Sequence, residues 1–209
     1  MTTIPNFRKP LAVSLVAAAL LAALPGCAPM VVGGAVMTGV LVVDRRSTGT
    51  QVDDQTIELR AVNALPGVLA GYGHVSAVSY NRQMLLTGEV PTPQMRMAVQ
   101  QSMLKLEGVR GVINDLAVMP DSTLSQRSND TLITGKVKAA MIDAKGFPSG
   151  AVKVLTERGA VYLLGIVTPD EAAQATEIAR GVSGVQKVVK VLEVISPEEL
   201  TKIAPAPKS

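Results

Sequence analysis

The chain has 209 residues, which is enough for one ordinary domain or two small ones. Hydrophobic residues make up 47% of it, yet there is no Trp and there are only two Phe and three Tyr. This aliphatic composition favours small α+β cores over an aromatic-lined pocket for a small-molecule substrate. The formal net charge is only +3, so a basic surface for nucleic acid is not indicated.

Residues 1–26 have the pattern of a targeting segment. Arg8 and Lys9 form a positive start, and Leu11 to Leu24 is an apolar run of 14 residues, too short to span a bilayer. The segment ends in Leu24-Pro25-Gly26-Cys27, which resembles the lipobox of bacterial lipoprotein signal peptides. Its removal would leave 18 Lys and Arg against 17 Asp and Glu, a nearly neutral mature chain.

Cys27 is the only cysteine, so it has no partner for an internal disulfide. The lipobox resemblance implies that its thiol carries a diacylglyceryl group and its freed amine a further acyl chain, which together give stable anchoring. The alternative is a free, buried cysteine. No cofactor is expected beyond these covalent lipids. Ala28, in place of the aspartate that retains lipoproteins in the inner membrane, implies export to the outer membrane.

Residues 27–50 are interpreted as the lipidated N-terminus and a linker. Met30 to Val43 is a second apolar run of 14 residues. Its length and three glycines argue against a membrane-spanning helix and favour a tether near the membrane surface. The polar stretch that follows, DRRSTGTQ, completes the predicted linker.

An internal repeat with a period of about 76 residues organises the remainder. Met84 to Val90 aligns with Val161 to Val167, and both alternate as half-buried strands with a glycine on the inward face, where we expect a helix to approach closely. A helix start follows each strand, as in the capping box of Thr168 and Glu171.

The rest of each unit repeats as well. Leu106 to Val118 matches Val182 to Val194 position for position, and amphipathic helices are predicted over 53–65 and 129–144. Each unit therefore has the order helix–strand–strand–helix–strand, a two-layer α+β sandwich of three strands and two helices. The predicted boundaries are 51–119 for the first domain, 120–127 for a linker, 128–196 for the second domain and 197–209 for a disordered tail.

The second unit, with DTLITGKVKAAM, VKVLTERGAVYLLGIV and GVSGVQKVVKVLEV, resembles a BON domain. The first unit departs at Arg82, where the family usually has a turn glycine, as at Gly159. Two such units behind a lipobox resemble the dual-BON-domain lipoproteins of Gram-negative outer membranes. The resemblance implies a periplasm-facing lipoprotein that binds anionic phospholipid through the first helix of its second domain, supports envelope integrity and gathers at division sites.

The first helix of the second domain has a suitable face. The core stripe includes Ile133 and Val137, whereas Leu132, Gly135, Lys136 and Ala139 lie on a different flank. An exposed leucine beside a lysine suits shallow insertion between anionic headgroups. We therefore predict these four residues as the phospholipid-binding site; the alternative is that Leu132 folds over the domain edge and the lysines are only solvated.

The sequence is compatible with two other functions. The Leu132 face, or an open sheet edge of the first domain, could dock another envelope protein such as outer-membrane assembly machinery. The chain could also act only as a spacer that stabilises the envelope.

Catalysis is not indicated. His74 is the only histidine, and the GYGH turn has no neighbouring residues that could complete a catalytic triad or a metal site. Asp53 and Asp54 are interpreted as caps at a helix start. We therefore predict a protein that is not an enzyme, with no metal site.

Overall fold

The computed structural model describes residues 44–203; the predictions for residues 1–43, including Cys27 and Ala28, and for residues 204–209 lie outside the described residues. The first domain consists of α1 (Thr48–Leu69), β1 (His74–Tyr80), β2 (Gln83–Val90), α2 (Pro93–Leu104), β3 (Gly111–Asn114) and β4 (Ala117–Val118). The second consists of α3 (Leu124–Asp143), β5 (Val152–Glu157), β6 (Ala160–Val167), α4 (Pro169–Arg180) and β7 (Lys187–Val194), followed by α5 (Pro197–Ile203).

Both sheets have the same topology. The strand order is β1-β2-β3 in the first domain, with β4 continuing along β2, and β5-β6-β7 in the second. The first two strands of each sheet are antiparallel, and the third strand runs parallel to the second. This confirms the predicted α+β fold of two tandem αββαβ units.

Helices cover one face of each sheet. The predicted apolar stripe of α3, formed by Ile133, Val137 and Met141, is buried in a cluster with residues of β5, β6 and α4. The corresponding stripe of α1 is Ile57, Ala61 and Leu65. These stripes give each domain its own core.

The opposite faces of the two sheets pack on each other. A cluster between them consists of Tyr80, Leu85, Tyr162, Leu164 and Ile166. The central strands are therefore buried on both faces, and the prediction that they are half-buried is wrong. Their nearly continuous apolar runs are typical of strands covered on both sides.

Both first helices begin earlier than predicted. Ser47 caps α1, and Thr123 caps α3 in a capping box with Gln126. The positions predicted as starts, Asp53 and Asn129, are therefore inside helices. The linker at 120–127 is correspondingly shorter, because α3 already begins at Leu124.

Asp54 is not a helix cap but a buried acceptor for the hairpin turn between β1 and β2. Its carboxylate accepts hydrogen bonds from the backbone N–H groups of Asn81 at 2.8 Å and Arg82 at 2.7 Å. Asp130 holds the equivalent turn of the second domain, accepting from Arg158 and Gly159 at 2.8 Å each. The repeat thus extends to the buried aspartate that shapes each hairpin.

The end of the predicted linker is bound to both domains. Arg45 donates two hydrogen bonds to the Glu171 carboxylate, at 2.6 and 2.7 Å, in the second domain. Arg46 donates to Asp54 in the first domain at 2.7 Å and lies 4.2 Å from the Tyr80 ring centroid. The structured part of the chain therefore begins with two arginines that join both domains, which corrects the assignment of this stretch to a linker.

The inward glycines make room for a neighbouring backbone rather than for a helix. A Cβ on Gly88 would lie 2.0 Å from the carbonyl oxygen of His74, and one on Gly165 would lie 2.4 Å from that of Ala151. Both oxygens belong to the chain at the start of the adjacent strand. The expectation of a close helix approach is therefore wrong.

The tail is partly helical. Residues Pro197–Ile203 form α5, and Ser196 and Glu199 form a reciprocal capping pair at its start. The prediction of disorder from residue 197 is wrong for this part. The missed signal is the S-P-E-E sequence, a capping box with proline at the first helical position.

Candidate functional sites

The predicted lipid-binding residues lie together on the exposed side of α3. Leu132, Gly135, Lys136 and Ala139 are all exposed, and Leu132 presents 64% of its surface to solvent. Their positions at i, i+3, i+4 and i+7 place them on one helix face. The leucine does not fold over the domain edge.

Two further apolar residues extend this face. Leu124 is 78% exposed and Ile142 is 56% exposed, and both lie on the same side of α3 as Gly135. We call Leu124, Leu132, Gly135, Lys136, Ala139 and Ile142 the α3 face. Sequence reasoning missed Leu124 because it placed the helix start too late, although the Thr123–Gln126 capping box marks the start.

Two lysines, Lys136 and Lys138, lie on or next to this face, and the exposed Asp143 lies one turn beyond Ala139. Within residues 44–203, no carboxylate forms an ion pair with Lys136 or Lys138. Both lysines are exposed. Their charges are therefore available to an anionic partner. The attraction of one lysine to an anionic membrane surface is about 1 kcal/mol.

The first helix of the first domain also carries exposed apolar residues, with different charges. Val52, Leu59 and Val62 are 56%, 64% and 61% exposed on α1. The only basic side chain on this helix, Arg60, is paired with Glu107 at 2.8 Å. The helix that carries this apolar stripe therefore has no unpaired basic side chain.

A third group lies where the sheets of the two domains meet. His74 begins β1, Glu89 lies near the end of β2, and Glu157 ends β5. The Nδ1 atom of His74 is 3.5 Å from Glu89 Oε2 and 4.0 Å from Glu157 Oε1. The expectation that His74 is an isolated loop residue is wrong.

The two carboxylates of this group differ in environment. Burial, together with the nearby charges of Glu89 and Asp130, raises the pKa of Glu157 to about 7. Burial acts the same way on Glu89, but hydrogen bonds from Ser122 and Arg158 outweigh it and lower the Glu89 pKa. The sequence offered no signal for this group, because its members are far apart along the chain.

Among residues 44–203, none of the helices combines the length and the hydrophobicity needed to cross a bilayer.

The family follows from these features and from comparison with known proteins. The BON domain model matches residues 53–120 and 129–196. The chain belongs to the BON-domain family, with two BON domains in tandem, as the sequence predicted.

The chain is also similar to several named proteins. The chain is 38% identical over 174 residues to "Outer membrane lipoprotein DolP" of Haemophilus influenzae, covering 82% of this chain and 90% of that protein. It is 35% identical over 155 residues to a "21 kDa hemolysin" of Actinobacillus pleuropneumoniae, covering 73% and 80%. "Osmotically-inducible protein Y" of Escherichia coli is 36% identical over 83 residues, covering 38% and 41%.

Proposed function

We propose that this protein is a non-enzymatic outer-membrane lipoprotein, anchored through Cys27 and facing the periplasm, whose second BON domain binds anionic phospholipid through the α3 face. Binding there supports envelope integrity, in particular at division sites. The observation that carries the proposal is the exposed Leu132 on the same face of α3 as the exposed Lys136.

The energetics suit a weak, reversible contact. Shallow burial of three aliphatic side chains contributes about 25 cal/mol per Å² of apolar surface removed from water. Lys136 and Lys138 add an electrostatic attraction to anionic headgroups, which salt largely screens beyond about 10 Å. An anchor on the same chain keeps the helix near headgroups, so a weak site is occupied at a high local concentration.

Vesicle flotation tests the lipid contact. The chain from Asp44 onward contains both domains but no anchor, and we expect it to float with vesicles containing phosphatidylglycerol and not with purely zwitterionic ones. Leu132→Glu places a carboxylate where the side chain would enter the headgroup layer, and is expected to abolish flotation.

Leu59→Glu is the matched control, because Leu59 is equally exposed, at 64%, on the helix without free cations. It is expected to float like the wild type. If the wild-type chain ignores anionic vesicles, or if both variants lose flotation equally, the α3 face is not the lipid site.

The anchor is tested separately by mass spectrometry of the protein extracted from membranes. We expect a mature chain that begins at Cys27 and carries a diacylglyceryl group and an N-linked acyl chain. A Cys27→Ser variant should keep residues 1–26 and carry neither acyl modification. An unmodified Cys27 in the membrane-extracted protein would contradict the anchor without affecting the lipid contact.

Docking of another envelope protein is a second candidate, favoured by the apolar stripe of Val52, Leu59 and Val62 on α1. In that case Leu59→Glu would lose a partner while retaining flotation.

A further inference from the structure

The cluster of His74, Glu89 and Glu157 has unused ligand capacity. Within the described residues, His74 Nδ1 is buried without a hydrogen-bond partner. Glu157 is only 6% exposed, and none of the hydrogen bonds among residues 44–203 ends on its carboxylate. Two buried polar groups therefore lie 4.0 Å apart without a hydrogen bond between them, which is costly in a folded protein.

Glu89 completes the cluster. Its Oε1 accepts from Arg158 at 3.1 Å and its Oε2 from the Ser122 backbone N–H at 3.1 Å. Each oxygen keeps a second lone pair. These contacts hold the carboxylate in place, as outer-shell partners commonly do for a ligand.

The three groups lie close to the spacing that one small cation needs. The three donor atoms lie within 4.8 Å of one another. Two atoms that each bind zinc at about 2.1 Å can be at most about 4.2 Å apart, and are about 3.4 Å apart at a tetrahedral angle. The separations of 3.5 and 4.0 Å from His74 Nδ1 satisfy the first limit, and a small shift of Glu157 reaches the second.

The internal repeat shows why these groups are unusual. Glu157 has the same position before its hairpin turn as Tyr80, and Glu89 the same position in its strand as Ile166. Tyr80 and Ile166 form an apolar contact between the domains. At the equivalent place, at the other end of the interface, the chain instead buries two carboxylates.

We propose that His74, Glu89 and Glu157 bind one divalent transition-metal ion, of the zinc type, between the two BON domains. An imidazole with two carboxylates suits such an ion better than magnesium, which prefers oxygen ligands and retains its waters. Two ligands come from the first domain and one from the second. Binding therefore holds the two sheets together and stabilises the folded chain by mass action.

The test uses the full chain in detergent with Cys27→Ser as background and without a polyhistidine tag. His74 is then the only histidine and no thiol remains. After dialysis against EDTA, we expect calorimetric titration with Zn²⁺ to give one equivalent bound per chain. The melting temperature should rise with Zn²⁺ and not with equal Mg²⁺.

Glu157→Gln and His74→Asn each remove one ligand and leave the contacts of Glu89 intact. Each should weaken zinc binding by more than the roughly 10- to 100-fold that loss of an outer-shell partner costs, and abolish the rise in melting temperature. Glu177→Gln, an exposed change on α4, should bind zinc like the background protein. Absence of stoichiometric zinc binding, equal stabilisation by Mg²⁺, or unchanged binding by both ligand variants would overturn the proposal.

Discussion

Replacing Asp54 by alanine is expected to lower the free energy of unfolding by about 3–5 kcal/mol, the usual effect of breaking a buried, ion-paired network. Asp54 is 2% exposed. Besides holding the β1–β2 turn, its carboxylate accepts from the Ser79 hydroxyl at 2.6 Å and from Arg46 at 2.7 Å. The loss leaves the two turn N–H groups and the Ser79 hydroxyl without this acceptor, whereas Arg46 keeps its pairing with Asp44. Urea unfolding followed by circular dichroism measures the change.

The neighbouring residue provides the control. Asp53 is also on α1, but its side chain is 44% exposed and, among residues 44–203, pairs with Arg82 alone. Asp53→Ala should therefore change the free energy of unfolding by about 0–1 kcal/mol. Equal destabilisation by the two changes would show that helix charge, rather than the buried turn network, is responsible.

The effect of Asp54 should depend on pH. Burial opposes ionisation, but hydrogen bonds from Ser79, Arg82, Arg46 and Asn81 outweigh it and lower the pKa of Asp54 below its ordinary 3.8. Its charged form is thus favoured in the folded state, and its stabilisation is present above pH 3.8 and lost as the pH falls through the lower folded pKa. The difference in the free energy of unfolding between the wild type and Asp54→Ala should therefore become smaller in this acid range.

Tyr162→Ala is the second change with a large expected effect, because this ring fills the centre of the interface between the sheets. Tyr162 is 1% exposed, and its hydroxyl donates to Asp115 at 2.7 Å across the two domains. Truncation of such an aromatic ring typically costs about 3–5 kcal/mol. We expect a loss of this size in urea unfolding, together with faster proteolysis between the domains.

Two variants separate the contribution of the buried ring from that of its hydrogen bond. Tyr162→Phe keeps the ring and removes only the hydrogen bond to a carboxylate, so a smaller loss of about 1.5–3 kcal/mol is expected. Tyr72→Ala removes a tyrosine that is 65% exposed, and should be nearly neutral. If Tyr162→Ala behaved like Tyr72→Ala, the sheet-to-sheet packing would not contribute to stability.

Much of the fold is readable from local patterns. The repeated strands and the stripe of Ile133 and Val137 depend on periodicity within a few turns or residues, and these predictions were confirmed. The exposure of Leu132 also follows from the helix period. The predicted helix starts are too late, because Asp53 and Asn129 are interpreted as caps although both lie inside helices.

The interface between the domains is not readable in this way. Leu85 and Tyr162 indicate only that the second face of each central strand is apolar. The order of residues along the chain does not predict which surface covers that face. The cluster of His74, Glu89 and Glu157 likewise depends on contacts between residues 15 to 83 positions apart.

The sequence by itself determined the two αββαβ units and the lysine-flanked face of α3, and it predicts the lipobox cysteine, because each depends on neighbours a few residues away. Only the tertiary structure decided that the two sheets pack face to face, that Arg45 and Arg46 join the domains, and that a histidine and two glutamates meet between them. The physical reason is that burial and the meeting of distant charges are properties of packed surfaces, which exist only once both domains have folded.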